Sequence, residues 1–163
     1  MIIQFLTDKT IEINQDTLVG INLDNYDLHR VLLENKDLNA SSFEEANIRG
    51  GFLMGSNLEC SNLRKSNIIV ADFRDANLMK ANLEESIGFY TLFDGANLKE
   101  ANLSGANLRG ASFNNTDLCF TNFENANLEQ AEFENAKYNT DTIWPKNFNP
   151  INHNLIFISD GFP

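Results

Sequence analysis

From Leu18 onward every fifth residue is apolar: Leu23, Leu28, Leu33, Leu38, Phe43, Ile48, and so on to Tyr138. Of the 25 positions in this series 24 are apolar, the exception being Gly88. A second rule governs the residue two places earlier. From Ser41 to Ala136 all 20 such positions hold Ala, Ser, Thr or Gly. The residue between is usually Asn or Asp, so the unit reads A-N-L-x-x, clearest in ANLKE-ANLSG-ANLRG at 96–110. A period of five suits neither regular element. On a helix, at about 100° per residue, successive leucines step by roughly 140° and smear around the axis. On a strand an odd period sends alternate leucines to opposite faces. They stay together if the chain turns once per repeat, each unit forming one short side of a coil. The large and the small residue then both point inward, the small one where the interior narrows at a corner. Period alone leaves the number of sides open.

The A-N-L-x-x tandem resembles the pentapeptide-repeat family over residues 16–138, about three quarters of the 163-residue chain. The resemblance implies an all-β fold, a right-handed quadrilateral β-helix with four sides and 20 residues per coil. Six coils then run from Asp16 to Asn135, about 29 Å at ~4.8 Å between paired backbones. That register stacks Phe73, Phe93, Phe113 and Phe133 in one interior ladder. A slip of one repeat would break it.

The expected organisation is a single domain, 1–163, with an N-terminal β cap (1–15), the solenoid (16–138) and a C-terminal cap (139–163). An open coil exposes backbone and apolar groups at both ends, so caps are required. Residues 2–14 read as two alternating strands (Ile3, Phe5; Ile11, Ile13) around a T-D-K-T turn. The first coil is irregular, with Ile21, Tyr26, Val31 and Lys36 at positions that are small elsewhere. After Tyr138 the rule fails, and the tail holds the only Trp and all three Pro. Its segment YNTDTIWPKNFNP is similar to a tail that follows the repeats in many family members, cyanobacterial ones among them. Trp144 and Phe148 are expected to cap the last coil.

Cys60 and Cys119 map to outward positions on one side, three coils and about 14 Å apart, beyond the ~7 Å reach of a disulfide. Thiols that stay reduced agree with a cytoplasmic setting, and Phe120 beside Cys119 is also placed outward. The start MIIQFLTDKT lacks a basic segment and a long apolar run, so it is not expected to be a secretory signal. No stretch approaches the roughly 18 apolar residues of a membrane helix.

Chemistry is sparse. His29 and His153 fall at opposite ends, the two cysteines are far apart, and no Cys/His zinc set can form. G-x-S-x-G, P-loop, dinucleotide and H-E-x-x-H signatures are absent, as is a dense D-x-D calcium loop. Glu44/Glu45 and Glu84/Glu85 share a face, but a filled solenoid has no cleft in which to shift a pKa. The expectation is no enzyme, no cofactor, no metal and no small-molecule substrate.

The net charge of −11 argues against direct nucleic-acid binding and leaves open a basic protein partner, or competition with DNA for one; the apolar patch around Ile69 and Tyr90 is what suits a protein partner or self-association. Sorted by the 20-residue coil, the side with Asp24, Glu44, Glu45, Arg64, Lys65, Glu84, Glu85 and Glu124 sums to −4. The opposite side, with Glu34, Asp72, Arg74, Asp75, Asp94, Glu132 and Glu134, sums to −5.

The rule breaks at 86–93, SIGFYTLF, where Ile87 and Leu92 replace Asn or Asp. Stacking places Ile69, Val70, Ile87, Phe89 and Tyr90 in one outward patch, with Phe52, Met54 and Leu92 on the neighbouring side. Contiguous exposed apolar surface marks an interaction site. A local bulge is the other arrangement, Ile87 or Phe89 turning inward to fill the hole left by Gly88. The leading reading is a non-enzymatic interaction module. The alternative, implied by the resemblance, is a DNA mimic that binds a type II topoisomerase such as gyrase. Acidity fits it, but about 29 Å spans fewer than ten base pairs at 3.4 Å each, and the tail does not resemble the helical dimerisation segment of the family's gyrase binders.

Overall fold

The structure, a computed structural model, describes residues 1–159. Its recurring event is a corner. The N–H of each small residue donates to the carbonyl of the large residue three places back, as in Ala96 to Phe93 (2.9 Å) and Ala101 to Leu98 (3.0 Å). The residue before the small one is left-handed, with φ of +56° at Glu45, +57° at Lys65 and +70° at Gly95. A positive φ at the third residue of such a turn is the signature of type II. The chain changes direction there and runs extended to the next corner.

Four corners close one coil. Asn57 pairs in parallel with Asn77, and Asn77 with Asn97; the 20-residue offset holds from Asn22 through Lys137. Hydrogen bonds run up and down the stack, Leu63 N–H to Asn82 C=O (2.7 Å) and Asn82 N–H to Ser61 C=O (2.9 Å). Large residues fill the interior, and Phe43, Leu63, Phe93 and Leu103 are fully buried. Phe73, Phe93, Phe113 and Phe133 stack face to face with centroids 5.4, 5.1 and 5.1 Å apart. The Ser and Thr hydroxyls mostly find carbonyls, so they are tolerated inside. Ser66 donates to Leu63 C=O at 2.7 Å and Thr121 to Leu98 C=O at 2.8 Å.

Gly88 does not cause a bulge. Its N–H donates to Asn107 C=O at 2.8 Å, and Ile87 keeps its parallel pairing with Asn67 and Asn107. The space a leucine would occupy is taken by neighbours in the coils on either side. A Cβ at Gly88 would lie 2.9 Å from Leu108 Cδ2 and 3.2 Å from Ile68 Cδ1.

The N-terminal cap is β1 (Ile2–Phe5) with β2 (Thr10–Glu12), antiparallel, β1 also pairing antiparallel with β3 (Val31–Leu32) of the first coil. Ile3 and Phe5 are buried and Ile11 and Ile13 pack against the core. The first coil keeps the 20-residue register. Of its four oversized residues Ile21 and Val31 are buried, whereas Tyr26 and Lys36 turn outward.

At the other end the coil continues past Tyr138 to Trp144 through a one-residue insertion. Asn122 pairs with Ile143, an offset of 21, and Thr142 takes the small position, donating to Leu118 C=O at 2.9 Å. Trp144 stacks on Phe123 at 5.2 Å and 4°, and Phe148 on Trp144 at 4.7 Å. A 3-10 turn, Pro150–His153, follows, and β5 (Ile156–Phe157) pairs in parallel with β4 (Lys137–Tyr138). This return path corrects one expectation. Cys119 faces outward from the coil but is covered, at 8% exposure, lining a crevice with Ile158 and Ser159 of the returning tail, whereas Cys60 is exposed. The end of the C-terminal cap, 160–163, lies outside the described residues.

Phe113, stacked between Phe93 and Phe133, should be the least replaceable of these rings. Phe113→Ala is expected to cost about 3–5 kcal/mol in urea unfolding; a loss below about 1 kcal/mol would show that the ladder does not hold the coils in register.

Candidate protein-interaction surface

With the interior filled, recognition is left to the four outer sides, which begin in the first coil at 22–25, 27–30, 32–35 and 37–40. Each contributes columns of residues 20 apart. On the second side one column reads His29, Arg49, Ile69, Phe89, Arg109, Glu129 and the corner column beside it Arg30, Gly50, Val70, Tyr90, Gly110, Gln130.

The predicted apolar residues meet at the middle of this side. Val70 N–H donates to Phe89 C=O at 2.9 Å, placing Ile69 and Val70 directly beneath Phe89 and Tyr90. Val70 is 48% exposed, Tyr90 56% and Ile87 42%; Ile69 and Phe89 are half-buried. The Tyr90 ring lies across Gly110, where an added Cβ would come within 2.5 Å of Tyr90 Cε1.

Three of these residues sit where the fold favours something else. Val70 occupies a left-handed corner at φ +49°. A β-branched side chain in that conformation is an outlier, and the left-handed form costs an L-residue roughly 1–2 kcal/mol. Tyr90 stands at the next such corner, at φ +56°. Ile87 replaces a residue whose side chain normally holds the turn. Asn67 Oδ1 accepts from Ile69 N–H at 3.2 Å and Asn97 Oδ1 from Lys99 N–H at 3.1 Å; isoleucine offers Phe89 N–H no acceptor. None of the three is repaid by burial.

The neighbouring side is less continuous. Phe52 and Leu92 share a column, but Asp72 lies between them and binds the Arg74 side chain through two hydrogen bonds, Nε to Oδ1 at 2.9 Å and Nη2 to Oδ2 at 2.6 Å. The Arg74 guanidinium holds the Asp72 carboxyl below its ordinary value. Leu92 (36% exposed) and Met54 (39%) therefore stand on opposite flanks of an ion pair, whereas Phe52 shares a concavity with Val70.

That concavity, about 350 Å³, is lined by His29, Arg30, Arg49, Gly50, Phe52 and Val70. The stem of Arg30 extends past Gly50, its Cγ 3.5 Å from where a Cβ would stand. Arg64, Arg74 and Arg109 form ion pairs; among the described residues Arg30 and Arg49 form none. Sorting the 27–30 side by charge, as for the acidic sides, gives +1, the only positive total of the four. The same count on the sequence would have found this cationic rim.

On the side starting at 22–25 the acids are partly neutralised within columns. Arg64 lies between Glu44 (3.1 Å) and Glu84 (3.5 Å), and Lys65 meets Glu85 at 3.8 Å. The Glu44 hydrogen bond is the largest influence raising the Arg64 pKa.

Comparison with known proteins agrees with this architecture. The family model described as pentapeptide repeats matches in eight copies over residues 21–59, 56–86 and 96–135. The chain belongs to the pentapeptide-repeat family, and its fold is a right-handed quadrilateral β-helix. Residues 87–95, outside the matched segments, hold the irregular Ile87, Gly88, Phe89, Tyr90 and Leu92, although the backbone there keeps the regular coil. Among solved structures the chain is similar to the pentapeptide repeat protein Rfr23 of the cyanobacterium Cyanothece 51142, at 23% identity and TM-score 0.52, over 77% of this chain and 89% of that one. It is also similar to alr5209 of Nostoc (27%, TM-score 0.47, covering 75% and 84%). HetL of the same genus, a protein involved in heterocyst differentiation regulation, matches at 21% and TM-score 0.42 over 77% and 79%. A comparison with curated proteins returned no match.

Two outcomes check the geometry of this surface. Val70→Asn, which places a residue tolerant of the left-handed corner there, should raise stability by up to about 1 kcal/mol in denaturant unfolding; a loss would mean Val70 contributes packing that its exposure does not suggest. Asp72 has a folded pKa below its ordinary 3.8, so its ion pair stabilises fully above about pH 4 and progressively less as pH falls through the depressed value. Arg74→Gln should return the carboxyl toward its ordinary range in an NMR titration, and an unmoved midpoint would remove Arg74 as the cause.

Proposed function

We propose that this chain is a non-enzymatic protein-interaction module whose working surface is the side centred on Ile69, Val70, Ile87, Phe89 and Tyr90, with Phe52 at its edge. One observation carries the reading: bulky apolar residues stand exposed at a left-handed corner and at a turn-holding position, where they weaken the coil that displays them. Residues that act against local stability without gaining burial point to selection for contact. Exposed aromatics grouped with aliphatics are the usual composition of an interface centre. Leu92 and Met54, across the Asp72–Arg74 pair, belong to its rim.

The DNA-mimic reading draws on acidity alone, and the column that would imitate phosphates is interrupted at Arg64 and Lys65. Purified protein is therefore expected to leave gyrase supercoiling unchanged at tens of micromolar.

The test of the module is affinity capture from native lysate with the wild type and a Phe89→Asp/Tyr90→Asp variant of matched thermal stability. A protein retained by the wild type and lost with the variant is the expected result. Identical captures would move attention to the acidic sides. A dimer mass in light scattering that the variant abolishes would make the partner a second copy.

A further inference from the structure

Resting on that reading, we infer that the partner engages this side through an acidic segment with a central apolar anchor, one carboxylate seated at Arg30 and Arg49 and a second at Arg109. In a chain of net charge −11 the Arg30 and Arg49 guanidinium groups form no ion pair among the described residues, yet the other three arginines are paired. Arg30 and Arg49 line one concavity whose remaining walls include Phe52 and Val70. A carboxylate next to a large apolar side chain matches that lining, the carboxylate meeting two forked donors and the side chain meeting Val70.

Spacing supports the same occupant. Successive coils are about 4.8 Å apart, so Arg49 and Arg109 are separated by roughly 14 Å, with Ile69 and Phe89 between them. An extended segment rises about 3.4 Å per residue and shows alternate side chains to one face. An acid, an apolar residue two places on and a second acid two places further therefore span the column. Arg109, already paired with Glu129 at 3.8 Å, is the weaker of the two ends.

Charge also selects against the other occupants. A two-fold axis at the centre of the patch, between the third and fourth coils, brings Arg49 opposite Arg109 of a second copy, so a symmetric dimer sets like charges against each other. An extended polyanion, whether nucleic acid or an anionic bilayer, meets flanking sides that sum to −4 and −5. A short acidic segment fits between them.

The experiment selects a displayed random-peptide library on the full chain at moderate salt, followed by fluorescence anisotropy of the enriched peptides. The control variants are Arg30→Glu/Arg49→Glu and Phe89→Asp/Tyr90→Asp. The first is expected to fold, because Glu45 and Glu85 occupy the same left-handed corner type as Arg30 and Glu44 the same turn position as Arg49.

The proposal expects enriched peptides with Asp or Glu on both sides of a large apolar residue. Their binding should weaken at least tenfold with Arg30→Glu/Arg49→Glu, weaken as salt rises, and recover in part with Arg49→Lys. Peptides without acidic enrichment, lost with Phe89→Asp/Tyr90→Asp but indifferent to the arginine variant, would overturn the acidic partner and leave the apolar surface standing. Peptides indifferent to both variants, or no enrichment, would overturn both. Binding to phosphatidylserine vesicles would replace the peptide with a lipid surface.

Discussion

Every fifth residue from Gly20 to Asn135 holds a left-handed backbone conformation, and the rest of the coil follows from that demand. The corner lets the N–H of the small residue reach the carbonyl three places back, which turns the chain by one side. Extended residues between corners are then too few to form long strands but enough to place one backbone pair per side on the coil above. Glycine supplies the conformation at Gly50, Gly55, Gly95, Gly105 and Gly110, while Glu, Lys and Asn adopt it at most other corners. The cost for an L-residue, roughly 1–2 kcal/mol, is comparable to the ~1.5–3 kcal/mol gained by burying one leucine. The balance is favourable because each repeat also contributes inter-coil hydrogen bonds, and because a corner shared by stacked coils must be satisfied in all of them.

The corner divides the sequence into two independent texts. Residues facing inward are constrained by the coil above and the coil below, which is why Gly88 is accommodated by Leu108 and Ile68 closing over it rather than by a shift of backbone. Residues facing outward are constrained only by the turn and by their column neighbours. Asn columns satisfy both, holding the turn through Oδ1 and bridging coils through Nδ2, as Asn77 does with Met79 and Asn57. A departure from Asn on the outside thus costs a local hydrogen bond without disturbing the core, and the departures at Ile87 and Leu92 carry information that interior substitutions do not.

The repeated interior was legible from sequence because its period is a direct consequence of geometry: the phenylalanine ladder and the 20-residue register needed only the spacing of large and small residues, once the resemblance supplied four sides. The ends were legible in kind but not in detail. Trp144 and Phe148 do close the last coil, yet the single inserted residue that brings Trp144 over Phe123 has no signature in a rule that has already lapsed at Tyr138. Its place in the repeat turns Cys119 outward from the coil; its burial comes from a tail that returns across that side, and no periodic reading contains a return path. At the surface, the grouping of Ile69, Val70, Phe89 and Tyr90 followed from the register, whereas the ion pair dividing Phe52 from Leu92 depended on which of several nearby acids Arg74 meets. The Arg30–Arg49 rim was available to the same arithmetic that identified the acidic sides, but a side of small net charge attracts no notice until pairing is known.

A solenoid with a filled interior presents only its outer surface, so a module of this kind would discriminate among partners by the order of residues along columns held at fixed spacing. Rigidity is an advantage in that task, because a surface set by a stacked backbone loses little freedom when it is covered. It also explains why the exposed residues can be unfavourable to the coil that bears them. With many coils sharing one core, a corner strained at Val70 and a turn left without its acceptor at Phe89 are local losses that the stack absorbs, whereas a marginal globular domain would register each against its whole stability. The architecture therefore tolerates poor local choices on its exterior, and the proposed contact with another molecule would give a physical use to their clustering on the side whose Arg30 and Arg49 form no ion pair among the described residues.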